Sequence, residues 1–418
     1  MRMKFNKSRQ LVLVSAASLL AATLVTACSQ FTQTLTVDFV YVASNKAEGP
    51  NQYGEIDVFE INSMSGKMRQ IPTSPFPSGG RNPVAEVVSS DNLNLFVANR
   101  DDNSIVQFTI GTDGKLYAYA TFNTPGIFPI GLAMNKSNLF VIDTFQPLPI
   151  CSPASPCTGS IAVYPVTAAT TNTPLTISTP ATNPSGSGKY WPLTLGSSTD
   201  IITPTAVNVI ASGAFVYVTA YDTTQTPTVG YIYAFSVGAG GVLTPVAGSP
   251  FAAGTHPSAI ASDSTSAHVY VTDAAKGVVL SYAVASNGAL VPATSGIGGS
   301  NQFAAGAQPS AIVVNQAYPY AYVANALDST VTAYSVNNGA LTRVGIYTTG
   351  AQPVAIGIDP STARFLYTAN FLGNTVSGWQ LNKADGTLLI SQFSPYASDA
   401  NPTAVAAIPH DGTGGGIQ

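Results

Sequence analysis

The chain has 418 residues, and only 9% of them are Asp, Glu, Lys or Arg. Gly, Pro, Ser, Thr, Ala and Val fill the space, a mix that suits short strands and tight turns and argues against a helical protein. The formal net charge of -4 becomes -8 once the first 27 residues are set aside, which excludes nucleic acid as a partner, because phosphate neutralisation needs Lys and Arg.

Those first residues read as an export signal. Arg2, Lys4, Lys7 and Arg9 form a basic start, Leu11 to Thr26 an apolar stretch, and Leu24-Val25-Thr26-Ala27-Cys28 follows. That layout belongs to a secretory signal, and a Cys directly after a small Ala resembles the bacterial lipoprotein box. Residues 1–27 are therefore expected to be removed and Cys28 to carry lipid. The alternative is an uncleaved anchor, but the apolar stretch is about 16 residues, short of the roughly 20 that span a bilayer. Ser29 in place of Asp after Cys28 points to the outer membrane, by analogy with lipoprotein sorting. Residues 28–36 then form the lipidated N-terminus and linker, of which 29–36 span roughly 26 Å at full extension.

From residue 37 the chain repeats. One phrase is a Pro followed two residues later by a small residue, as in Pro83-Val84-Ala85; it recurs at Pro129, Pro204, Pro257, Pro309, Pro353 and Pro402. A second phrase reads Val40-Tyr41-Val42-Ala43, Phe96-Val97-Ala98-Asn99, Phe140-Val141-Ile142-Asp143, Tyr217-Val218-Thr219-Ala220, Tyr270-Val271-Thr272-Asp273, Tyr322-Val323-Ala324-Asn325 and Tyr367-Thr368-Ala369-Asn370. A third alternates apolar and small residues, as in Ile105 to Ile110, and runs into a glycine turn such as Asp113-Gly114. A fourth strand often ends in Ser-Pro-Phe or Ser-Pro-Tyr. Four strands per unit and seven units predict an all-β, seven-bladed β-propeller of four-stranded blades. The mature chain starts in the second phrase and ends in the first, so the C-terminal strand at Pro402 is expected to complete blade 1 and close the ring. The propeller is expected over 37–410, with a flexible tail at 411–418.

One unit is swollen. Pro129 and Pro204 are 75 residues apart, which predicts an insertion at about 144–203. Cys151 and Cys157 lie in it; export permits a disulfide between them, and a metal site, the alternative, has no His nearby. A Thr, Pro, Ser and Gly-rich stretch follows from Thr167 to Leu195.

These phrases resemble the lactonase-type (6-phosphogluconolactonase-like) propellers and the related Tyr-Val-Thr-Asn repeat propellers over residues 37 to 410. Characterised members of the lactonase group use Arg, His and Glu around the central channel. Thr255-His256-Pro257 resembles the His-Pro that opens an inner strand in such enzymes. The other blades depart from it, with Asn82, Phe128, Thr203, Gln308, Gln352 and Asn401 before their Pro.

Strand direction puts the start of each first phrase and the end of each second phrase on one face. Arg81, Asn82, His256, Gln308, Gln352 and Asn401 fall there, with Arg100 slightly outward. Glu86 is an anomaly, because its equivalents are Leu132, Val207, Ile260, Ile312, Ile356 and Val405. A carboxylate at an apolar inner-strand position must be paired or wet, and Arg81 or Arg100 is the expected partner. His256, Glu86, Arg81 and Arg100 are thus the catalytic candidates, and Asn82, Gln308, Gln352 and Asn401 the ligand-binding ones. With three His in the chain, no metal site or cofactor is expected. Ser185-Gly186-Ser187-Gly188-Lys189 lacks the context of a phosphate loop. The expected role is a monomeric, lipid-anchored cell-envelope protein that binds a small molecule or an envelope protein; the alternative is a lactone hydrolase acting at the channel mouth.

Overall fold

A computed structural model describes residues 36–409, apart from Ser63, Thr171, Asn172, Ser187, Ser197, Ser198 and Ser361. Cys28, the expected signal peptide at 1–27 and the tail at 411–418 lie outside the described residues. Three short 3-10 turns apart, the regular structure is all strand, in seven antiparallel sheets. Blade 2 sets the pattern: inner strand Pro83–Val88, second strand Asn94–Asn99, third strand Ser104–Ile110 and fourth strand Leu116–Asn123. Blade 1 is built from both chain ends. Its inner strand Pro402–Pro409 pairs with its second strand Thr36–Glu48, from Asp38 opposite Pro409 to Ser44 opposite Pro402. The ring therefore closes as the phase of the repeat predicts, and the second strand Thr36–Glu48 is not left as a free sheet edge at the seam.

Each second strand lies mid-sheet, and each sheet packs between two others, so the strand is covered on both faces. All six residues of Asn94–Asn99 are buried. Val97 faces blade 1 and Phe96 faces blade 3. This explains why the second phrase is almost continuously apolar. Tyrosine fits where a neighbouring backbone offers an acceptor. Tyr41, Tyr217 and Tyr322 donate to the carbonyls of Gly114, Gly288 and Gly386 in the next blade at 3.1, 2.9 and 3.0 Å. Hydroxyls do the same around the channel: Ser258, Ser310 and Thr403 bond the carbonyls of Pro309, Pro353 and Pro83 in the following inner strand. The ring is thus stitched by neutral hydrogen bonds, and few charges are needed.

The fourth strand is less regular than the repeat suggests. In five blades it is split into two short pieces that both pair with the third strand; in blade 1 these are Met68–Gln70 and Phe76–Pro77. In blades 1, 4 and 7 the Ser-Pro phrase marks the break. Pro has no N–H to give, and the serine hydroxyl takes the third-strand amide left over. Val58, Ala234 and Gly378 donate to Ser74, Ser249 and Ser394 at 2.8 to 2.9 Å.

Candidate functional site

The face where the inner strands start, called the upper face, owes its shape to the first phrase. In every blade the register slips between the Pro and the small residue two places on. Proline is at home at such a bulge. The residue before it takes a left-handed conformation in five blades: Asn82 (φ 55), Phe128 (φ 59), Gln308 (φ 53), Gln352 (φ 55) and Asn401 (φ 57). Asn tolerates this region at low cost. The carbonyls of Asn82, His256, Gln308, Gln352 and Asn401 each accept a bond from the chain just past the second strand, at 2.8 to 3.1 Å. Five of the seven residues before a Pro are thus held around one end of the channel by bonds to their own carbonyls.

Behind them lies a support that the sequence reading missed. Asn99, Asp143, Asp273, Asn325 and Asn370 end their second strands fully buried. Each faces a glycine three residues before the Pro: Gly80, Gly126, Gly254, Gly306 and Gly350. A Cβ on those glycines would come within 2.2 to 2.6 Å of the buried side chain. The signal was present in the sequence, five times over. Blades 1 and 4 have Asp399 and Ile201 in place of the glycine, with Ser44 and Ala220 opposite their Pro. Asp273 shows what the pocket does: its carboxylate accepts from the amides of Thr255, His256, Ala275 and Lys276 at 2.7 to 3.3 Å.

At the mouth, His256 stacks on Tyr221 with ring centroids 4.1 Å apart. Neither ring nitrogen has a hydrogen-bond partner among the described residues. Burial lowers its pKa and outweighs the pull of Asp273 in the opposite sense, so the imidazole is neutral at pH 7 and can donate or accept. The side-chain amides of Gln308 and Gln352 are likewise without partners among the described residues. Asn401 donates to the carbonyl of Phe371 at 3.2 Å. On blade 2, Arg81 pairs with Asp102 at 2.6 Å, while Arg100 reaches Asp101 at 3.4 Å and lies over the Phe128 ring at 4.6 Å. Asn82 points at Asp101 as well, at 3.4 Å.

Glu86 does not join them. Its stem lines the channel wall, but both carboxyl oxygens are withdrawn from solvent and have no hydrogen-bond partner among the described residues. Neither Arg81 nor Arg100 pairs with it, contrary to the sequence expectation. The bulge at Pro83 resets the alternation, so Glu86 sits opposite Val97 and shares that residue's face, the seam with blade 1. Desolvation pushes its pKa up to about 8; the amides of Ala43 and Ala406 pull it back part of the way without closing a bond. Burial therefore favours the neutral carboxyl, and the blade 1 seam turns it away from the mouth. Among the described residues, no hydrogen bond or ring contact joins His256 to Arg81, Arg100 or Glu86.

The long blade 3 unit divides between faces. Cys151 and Cys157 form a disulfide, S–S 2.11 Å, in the loop between the second and third strands on the upper face. The Thr167 to Leu195 stretch instead occupies the opposite end and the outer edge, between the two halves of the fourth strand, Thr176–Ile177 and Trp191–Pro192. The described residues hold no cluster of three or more His, Cys, Asp or Glu side chains suited to a metal ion.

Comparison with known proteins agrees with this architecture. The model of the family described as "Lactonase, 7-bladed beta-propeller" matches residues 50–146 and 294–406, just over half of the chain. No curated protein matches it. Among solved structures, the periplasmic gluconolactonase of Pseudomonas aeruginosa is similar with a TM-score of 0.67 and 16% identity, over 89% of this chain and 99% of that one. A candidate 6-phosphogluconolactonase from Bacteroides fragilis gives 0.65 and 18%, over 90% and 99%. At such identities the likeness speaks for the fold. The closed ring of seven blades and the family match together place the chain: it belongs to the lactonase family of seven-bladed β-propellers.

Proposed function

We propose that this chain is a lipid-anchored cell-envelope protein whose upper channel mouth binds a small, uncharged, polyhydroxylated ligand of the sugar-lactone class. The observation that carries the reading is the set of unspent hydrogen-bonding groups at the mouth: His256 and the amides of Gln308 and Gln352. Neutral groups that both donate and accept suit hydroxyls and an ester carbonyl. Tyr221 and Phe128 supply aromatic surface beside them, and Arg81 and Arg100 are already engaged by Asp102 and Asp101.

Family membership favours a second reading, hydrolysis of the lactone. His256 is the residue placed to act as its base. Against it stand the neutral, turned-away Glu86 and the lack of any carboxylate bonded to the His256 ring. Calorimetry with glucono-1,5-lactone and gluconate, run beside a hydrolysis assay, separates the two. Binding without turnover, weakened about tenfold by His256→Ala, supports the scaffold reading. Turnover abolished by the same substitution establishes the hydrolase, and no binding of either compound defeats both.

A further inference from the structure

The reading of Cys28 as lipid-bearing has a geometric consequence at the face opposite the mouth. Thr36, where the described chain begins, pairs with Asn62 at the lower end of blade 1. Asn62 opens the turn that holds Met64, 77% exposed, and Lys67. Residues 29–36 reach at most about 26 Å. From Thr36 to Asn45, whose amide bonds the mouth residue Asn401, the strand climbs about 30 Å at the usual strand spacing. A tether of that length falls short of that climb, although the upper face has exposed apolar residues of its own in Ile150, Leu327 and Leu372. The lower ends of blades 1 and 2, where the tether begins, are the part it brings nearest to the lipid.

Those ends are built for such contact. The Met64 turn packs on its blade 7 side, where Gln380 donates to the Ser65 carbonyl at 2.8 Å; in blade 2, Leu93 in the lower turn is 47% exposed, and Tyr117 at the foot of the fourth strand is 54% exposed. Behind Leu93 is a cleft of about 330 Å³, walled by Ile110 and by Ala169, Pro174 and Leu175 of the blade 3 excursion. That excursion is pinned to blade 2 by the buried Gln107 amide, which donates to the Leu175 carbonyl at 2.6 Å. Exposed Met64 and Leu93 and the amphipathic Tyr117 are side chains of the kind that enter the headgroup region. Lys67 lies over the Phe393 ring and Lys115 is paired with Asp113, so apolar contact carries more of this surface than charge does.

We propose that the lower rim of blades 1 and 2 rests on the bilayer that holds the Cys28 lipid, and that the mouth with His256 faces away from it. The test uses the full-length protein, purified with its lipid and placed in phosphatidylethanolamine–phosphatidylglycerol vesicles carrying a photoreactive headgroup, with adducts mapped by mass spectrometry. Adducts on the peptides holding Met64, Leu93 and Tyr117, about tenfold above those holding Leu327 and Leu372, are expected. The double variant Met64→Glu, Leu93→Glu should lose most of the adducts on Tyr117. Adducts concentrated on the upper face, or absent from both faces of a lipidated chain, overturn the proposal. The mass of the N-terminal peptide keeps the premise separate: an unmodified Cys28 defeats the lipoprotein reading itself.

Discussion

Two buried acids near the channel, Asp273 and Glu86, are treated in opposite ways. Asp273 ends a second strand in a pocket that five blades share, opposite a glycine, with four amides aimed at it. Glu86 stands where the other six blades have an aliphatic side chain, and nothing bonds it. Asp143 falls between them: one oxygen accepts from the Gly126 amide at 3.2 Å, the other has no partner among the described residues, and burial lifts its pKa to about 7, against about 8 for Glu86. Burial of a charge is tolerable when the backbone is shaped around it and costly when it is not. The glycine-backed pocket occurs in five blades, whereas a carboxylate at the Glu86 position occurs in one.

The comparison breaks most sharply at the glycine. Gly254→Ala drives a Cβ to 2.2 Å from the Asp273 carboxylate and forces alanine to φ +73; a loss of about 3 kcal/mol in urea unfolding is expected. Adding Asp273→Ala, which imitates the Ala220 of blade 4, should restore part of it. If the double variant is no better than the single, the pocket is not what the glycine serves.

Glu86→Leu tests the other side. A carboxyl whose pKa is higher in the fold than in the unfolded chain contributes most below its unfolded value, and that contribution is lost as pH rises. The window for Glu86 runs from about 4.5 to about 8. The leucine variant should therefore gain about 2 kcal/mol at pH 9 and little at pH 5. Equal gains at both would show that packing, not ionisation, is the cost. Asp143→Asn should give the same trend over a window from 3.8 to about 7, smaller, at about 1 kcal/mol, because one amide already supports the charge. His256→Ala, finally, should leave the unfolding midpoint within about 0.5 kcal/mol of its parent, since its ring supports nothing but Tyr221.

The architecture was legible because each phrase repeats a local physical demand: Pro at a bulge, a two-sided apolar strand, a glycine turn. Seven copies make the period plain where one would not. The site was legible only in part. The residues before each Pro fall at the mouth because strand direction fixes them there. Glu86 stood out as an oddity, but its surroundings could not be counted from Pro83, since the bulge between Pro83 and Ala85 shifts which face follows. The glycine at Pro minus three went unread because a glycine beside a turn looks ordinary until the side chain it makes room for is placed against it. The split fourth strand escaped notice for a similar reason, since a Ser-Pro pair ends one strand piece and starts another.

The closure through Pro402–Pro409 also sets an order of events. As the chain is made, blades 2 to 7 can each assemble from neighbouring segments, but blade 1 waits with its second strand unpartnered on the channel side until the last eight-residue strand is available. Completion of the ring is thereby coupled to synthesis of the strand Pro402–Pro409. A chain interrupted before Pro402 would keep Phe39 to Ser44 as an open edge, ready to pair with whatever strand comes next.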